Sequence, residues 1–109
     1  MVNIDEYKKL IQEFVYCLAR KDYQAANNLI LDNSVPISDL RRVIEEYGTT
    51  IVPIPEAAFE QALCYQISDK QVDIYIPLWS VEEGRSDLTL SLSCFQNEHK
   101  IQINDLEVL

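Results

Sequence analysis

His99 is the only histidine of the chain, so a histidine-based acid–base pair can be built only there. It stands in Asn97-Glu98-His99-Lys100, a polar turn, whereas a general base needs a positioned and partly dry partner. An exposed turn histidine is the reading its neighbours favour. Glu82, Glu83 and Asp87 could hold a hard cation through their carboxylates. A calcium loop, however, spaces its acids at alternate positions. Here two are adjacent, the third follows four residues on, and Arg85 stands between them, which suits a solvated, charged hairpin end better. Asp73 and Asp105 could pair as acid and base if facing strands brought them together, and otherwise read as outward-facing strand carboxylates. Cys17, Cys64 and Cys94 are odd in number and show no CxxC spacing. Each falls inside an apolar element, so buried free thiols are expected. There is no glycine-rich phosphate loop, GxSxG elbow, HExxH motif or His/Cys cluster at metal spacing. The motif-bearing enzyme classes are therefore set aside, and no catalytic residue, cofactor or metal is expected.

The elements that must position these side chains centre on Gln71 to Cys94. In the first arm Val72, Ile74 and Ile76 share a face with Asp73 and Tyr75 between them. In the second, Leu88, Leu90, Leu92 and Cys94 alternate with Thr89, Ser91, Ser93 and Phe95. Period two over that length is a half-buried strand. Glu82 to Asp87 supplies the turn, with Gly84 free to take a positive φ, so the arms form an antiparallel hairpin. Tyr75 and Trp79 fall opposite the aliphatic face if the strand stays regular. They then make an exposed aromatic pair beside an acidic loop, which is interface composition. Alternatively Trp79 packs under the short helix that follows Pro55, or Pro77 resets the register and sends it inward.

Helices precede the sheet. Ile4, Tyr7, Leu10, Ile11, Phe14, Val15 and Leu18 repeat at three and four residues over Ile4 to Arg20, with Asn3 as cap and Asp5 and Glu6 in the first turn. Lys21-Asp22 breaks that pattern, and Asp22 caps a second, shorter stripe of Tyr23, Ala26, Leu29 and Ile30. Asp32 to Pro36 closes it. Ser38 or Asp39 caps a third helix bearing Leu40, Val43, Ile44 and Tyr47, stopped by Gly48. Thr49 to Pro55 is a connector or at most an edge strand, because Pro53 and Pro55 cannot donate into a ladder. Pro55 to Glu60 reads as one or two helical turns. Leu63, Tyr65 and Ile67 alternate as the first strand, and Ser68-Asp69-Lys70 turns into the hairpin. A last strand starts at Ile101 and Ile103, then changes parity to Leu106 and Val108, which calls for a bulge at Asn104-Asp105. The expected domain, residues 1–109, is α+β: three N-terminal helices and a short fourth on one face of a four-stranded antiparallel meander.

A chain of 109 residues is one domain of ordinary size. No run approaches the ~20 apolar residues of a membrane helix, and the opening MVNIDEYKKL lacks the pattern of a targeting segment, so a cytoplasmic setting without membrane contact is expected. The formal charge of −9 is uneven: residues 1–54 carry eight acidic and six basic side chains, residues 55–109 ten acidic and three basic. Such a strand half repels phosphate backbones and steers cationic partners. Its bland counterpart is acidity that only keeps the chain in solution.

Helices followed by a curved antiparallel meander resemble the cystatin-like α+β superfamily, which includes the nuclear transport factor 2-like domains. Ala19-Arg20-Lys21-Asp22-Tyr23-Gln24-Ala25-Ala26 is similar to the turn and "aromatic-x-alanine" second helix common there. Pro77 to Leu90 resembles a distinctive stretch of a small uncharacterised bacterial domain family, which implies no activity. The superfamily hosts enzymes, ligand carriers, dimerisation modules and toxin-immunity proteins, so fold analogy alone does not choose among them. The composition and the resemblance together lead to a non-catalytic, acidic binding protein of immunity or inhibitor type that covers a basic partner such as a nuclease toxin. Glu82, Glu83, Asp87 and Trp79 would be central to it, with Tyr75, Asp73, Asp105 and Glu107 contributing, on a monomer or homodimer. The alternative is a small-ligand or enzymatic domain with a pocket of a few hundred Å³ between the first helix and the sheet.

Overall fold

In the computed structural model, which describes residues 2–32 and 34–108, the helices come first and the strands last. The first helix, α1 (Ile4–Ala19), starts where Asn3 accepts a hydrogen bond from the Asp5 N–H at 3.1 Å, and it buries Tyr7, Ile11, Phe14, Val15, Cys17 and Leu18. Its end is a tight reversal: Lys21 takes φ 62°, and the Asp22 N–H returns to the Cys17 carbonyl at 2.9 Å, a left-handed helix stop that places Asp22 at the next N-cap. Asp22 then accepts from the Ala25 N–H at 3.1 Å.

The second helix, α2 (Tyr23–Asn27), is only five residues long and stops before Leu29 and Ile30. Those two leave the helix because Leu29 and Leu31 hydrogen-bond to Ile101, setting Ile30 in a parallel bridge beside it. Of the break expected over Asp32 to Pro36, Asn33 lies outside the described residues. The third helix, α3 (Ile37–Tyr47), begins two or three residues earlier than its polar candidates suggested, with Pro36 at the cap rather than Ser38 or Asp39. It ends as expected at Gly48, φ 82°.

The sheet has five strands rather than four: β1 (Ile51–Val52), β2 (Leu63–Ser68), β3 (Gln71–Ser80), β4 (Gly84–Phe95) and β5 (Gln102–Val108). All pairings are antiparallel. The added strand is the proline-interrupted segment before Pro53. It and β2 share one edge of β3, β1 beside Trp79 and Ser80 and β2 beside Gln71 to Tyr75. A 3-10 helix, Glu56–Glu60, connects them, with Pro55 at its cap. The β3–β4 turn is tighter than the expected Glu82–Asp87 connection: Ser80 pairs with Gly84, Gly84 has φ 69°, and Arg85, Ser86 and Asp87 already belong to β4. A three-residue loop closed by a left-handed glycine is a favoured hairpin. In β5, Ser91 faces Asp105 while Leu92 faces Ile103. Asn104 is thus the extra residue that the change of apolar parity called for.

One core fills the space between the layers. Ile11, Phe14, Leu18 and Leu40 meet Ile74, Ile76, Leu88, Leu90, Leu92, Ile101 and Ile103, all at most 1 % exposed. No helix of the described residues is long and apolar enough to cross a membrane.

Candidate functional site

The strand pairing writes out the sheet face that points away from this core. Because side chains alternate, the face opposite Ile74 and Ile76 presents three cross-strand rows. The first is Leu63, Tyr75, Ser91 and Asp105, the second Tyr65, Asp73, Ser93 and Gln102, and the third Pro77, Thr89 and Glu107. Its centre is a floor of small hydroxyls. Thr89, Ser91 and Ser93 are each at most 7 % exposed, although no helix lies over them. Their short side chains sit between longer ones on the flanking strands.

A hydrogen-bonded line crosses that floor. Gln71 Nε2 and Ser93 Oγ donate to the same oxygen of Asp73 at 3.0 and 2.6 Å, Asn104 Nδ2 donates to Ser93 Oγ at 2.8 Å, and Gln102 Nε2 donates to Asn104 Oδ1 at 3.0 Å. Asp73 is therefore a fixed, half-buried acceptor. Asp105 and Glu107 are exposed on β5. Asp73 and Asp105 share the face but lie on β3 and β5, two strand spacings or about 10 Å apart, too far to share a proton. The structure does not assemble that acid–base pair.

The other acidic candidates lie at the far end of the hairpin and are tied inward. Glu82 accepts from the Thr50 N–H at 2.8 Å and from Thr50 Oγ1 at 2.9 Å. Glu83 accepts from Tyr47 Oη at 2.8 Å, Ser86 Oγ at 2.9 Å and Ser80 Oγ at 3.0 Å. These donors hold both carboxyls below the ordinary glutamate value; the Thr50 N–H leads for Glu82 and the Tyr47 hydroxyl for Glu83. Both side chains belong to exposed residues, yet their lone pairs serve first to lock the β3–β4 turn onto the α3–β1 connection. Asp87 is exposed in β4, two residues before Thr89, whose partner on β5 is Glu107. Trp79 is half-buried against the core, and a shift in the β3–β4 register between Pro77 and Trp79 removes it from the regular alternation. Tyr75 is half-buried and meets Tyr65 edge to face at 5.8 Å. The aromatic pair of this face is thus exposed Tyr65 with half-buried Tyr75, and the expected exposed pair of Tyr75 with Trp79 does not form.

The acidity of the strand half is not cancelled internally. Ion pairs among the described residues join Asp5 to Lys8, Arg20 to Asp22, Asp39 to Arg42 and Arg41 to Glu45, all within the helical half.

Elsewhere, an open cleft of about 500 Å³ lies between the start of α1 and the β4–β5 turn, lined among others by Asn3, Glu6, Tyr7, Glu13, Glu98 and His99. Tyr7 Oη donates to the carbonyls of Phe95 and, at 2.9 Å, of Glu98, fastening the turn to the helix. The cleft lies beside the helix; the space between helix and sheet, where a ligand pocket was the alternative, is filled with aliphatic side chains. Among the described residues no three His, Cys, Asp or Glu side chains converge as metal ligands.

Two features escaped the sequence reading. The serine and threonine alternation in β4 was visible, but its role as the floor of an uncovered face was not. Strand β2 is exposed throughout, where burial of one face was expected, and this leaves Cys64 exposed while Cys17 and Cys94 are buried. All three thiols are free.

A family model described as "Domain of unknown function (DUF7668)" matches residues 15–109, and the chain belongs to that family. No curated protein matches it.

Proposed function

We propose that this family member is a non-catalytic binding protein that presents the outer face of its sheet to a basic protein. The observation that carries this reading is a face left uncovered by helices, whose ionisable carboxylates, Asp73, Asp105 and Glu107, have no basic neighbour in their cross-strand rows. Lys70 and Lys100 sit in the turns and Arg85 at the start of β4, off the serine floor. A surface of this kind accelerates association with cationic partners and loses that advantage as salt screens it. Glu82 and Glu83 add to the potential while anchored by their own hydrogen bonds. Asp87 and Glu107 are exposed acids of this face with freely adjustable side chains, and Asp105, also exposed, accepts the Leu106 N–H at 2.8 Å through one oxygen and keeps the other for a partner.

Helices followed by an open antiparallel sheet support assignment to the cystatin-like and nuclear transport factor 2-like superfamily. With it comes the more specific reading of a cytoplasmic immunity or inhibitor protein that occludes a nuclease toxin. Capture experiments with the full chain, at low salt and at about 0.5 M salt, where the Debye length falls to ~4 Å, test this. A basic protein should be retained at low salt and released at high salt. Its retention should fall about tenfold or more with the Asp87→Lys/Asp105→Lys/Glu107→Lys variant, and any nuclease activity it has should be blocked by one equivalent of the chain. Retention that ignores both salt and the reversal overturns the proposal.

A further inference from the structure

We propose that a second copy of this chain docks on β2, strand to strand and antiparallel, so that one sheet runs through both molecules. A sheet edge offers unpaired N–H and C=O groups, and proteins blunt such edges with prolines, charges, bulges or covering segments. Two of the three edge segments here are blunted. Beyond β1 the chain carries Pro53 and Pro55. β5 carries Asp105 and Glu107, bulges at Asn104, and is preceded by Ile101, which is held by Leu29 and Leu31. β2 carries no proline, charge or covering segment, and its one register shift, between Gln66 and Ser68, lies at the end next to the β2–β3 turn. All six of its residues are exposed, and Leu63, Tyr65 and Ile67 expose 57, 51 and 54 % of their surface, an unusual outlay for large apolar side chains on an edge.

Charge selects the occupant. Two copies of a chain with net charge −9 repel wherever their acids approach. Yet Gln61 to Ser68 contains no charged residue, so here a second copy can come into contact without setting like charges opposite one another. A basic partner would gain nothing from this strand and would be drawn to the acidic face instead. The same strand is also its own complement. A two-fold axis near Tyr65 pairs the two edges antiparallel and gathers Leu63, Tyr65 and Ile67 of both copies along one seam, while the acidic faces lie side by side.

Sedimentation velocity of the full chain at micromolar concentrations tests this directly. The expected species has twice the chain's 12.6 kDa, and the dimer tightens as salt rises, because screening relieves the mutual repulsion. That sign is opposite to the one expected for a basic partner, so the two readings fail separately. Tyr65→Lys sets like charges across the axis and should return the chain to monomer. Leu63→Lys gives a second measurement should the first variant lose its far-ultraviolet circular dichroism. Val81→Lys, at a side chain 69 % exposed in the β3–β4 turn, should leave the dimer intact. A monomer at every concentration and salt, or a dimer indifferent to both β2 lysines, overturns the proposal.

Discussion

Glu83 shows what a single carboxylate does here. Its acceptors gather three hydroxyls from α3, β3 and β4, and Glu82 beside it holds Thr50. Neither partnership was legible in the sequence, since Tyr47 and Thr50 lie 36 and 32 residues away, and two adjacent glutamates in a turn read simply as solvated charge. The consequence is a pH dependence of defined sign. Both folded-state values lie below the ordinary 4.5, so the stabilisation is complete above 4.5 and is lost as pH falls from there through the folded values. Tyr47→Phe removes the leading donor to Glu83. Between pH 6 and about 3.5 the urea midpoint of the wild type should therefore fall more steeply than that of the variant; parallel slopes would deny the link. The thiols give a second residue-scale test. Burial, with Cys64 and Asp73 nearby, pushes the Cys94 thiol up to about 12, and Cys17 is buried. One thiol per native chain, Cys64, should react with an aromatic disulfide at pH 8, slowed by its own raised value, and all three after unfolding. Fast reaction of more than one native thiol would contradict the packing.

Elements were the most readable level, and their failures have a common cause. Period and caps located α1, the Asp22 cap, the Gly48 stop, the central hairpin and the Asn104 bulge, because each rests on neighbours within a few residues. What escaped was set by distant contacts: β1 exists because it finds the end of β3, α2 is cut short by Ile101, and β2 lacks a helix above it. Two consequences can be measured. Lys21 occupies a left-handed position that costs a side chain about 1 kcal/mol or more relative to glycine, and it is exposed. Allowing for glycine's greater unfolded-state entropy, Lys21→Gly should raise stability by about 0.5–1 kcal/mol, seen as a higher urea midpoint at constant slope; a decrease would show that the reversal is not strained. Deleting Asn104 removes the extra residue and leaves a regular ladder in which Asp105 still faces Ser91 and Leu106 still faces Leu90. Leu106 stays buried, and the loss is that of the Asn104 bonds to Ser93 and Gln102, about 1–2 kcal/mol, so the midpoint should fall only modestly; a collapse of the fold would mean that the pairing of β5 depends on the bulge itself.

At the scale of the whole molecule the question is what the uneven charge does to folding itself. The helical half pairs its charges along and between helix turns, while the ion pairs found among the described residues leave out the ten acids of residues 55–109. Four of those acids, Asp73, Asp87, Asp105 and Glu107, stand on strands of fixed geometry, and the other six lie in the turns and the 3-10 helix that flank the sheet, so folding concentrates a repulsion that the unfolded chain dilutes. The helical ion pairs are exposed and each is worth little, so screening them removes less than it relieves. Thermal stability should then rise with salt. A gain of ~1 kcal/mol between low ionic strength and about 0.3 M salt corresponds to roughly 4–8 °C in Tm for a chain of this size. Reversing Asp105 and Glu107 to lysine, which places cations among the remaining acids, should raise Tm at low salt and shrink its salt dependence, even as it weakens capture of a basic partner. Stability and binding would thus move in opposite directions on the same substitutions, the behaviour of a surface whose charge is kept for association at a cost to the fold. If the reversal instead lowered Tm at low salt, the acids would be acting as local structural groups, and their sum would have no role as a field.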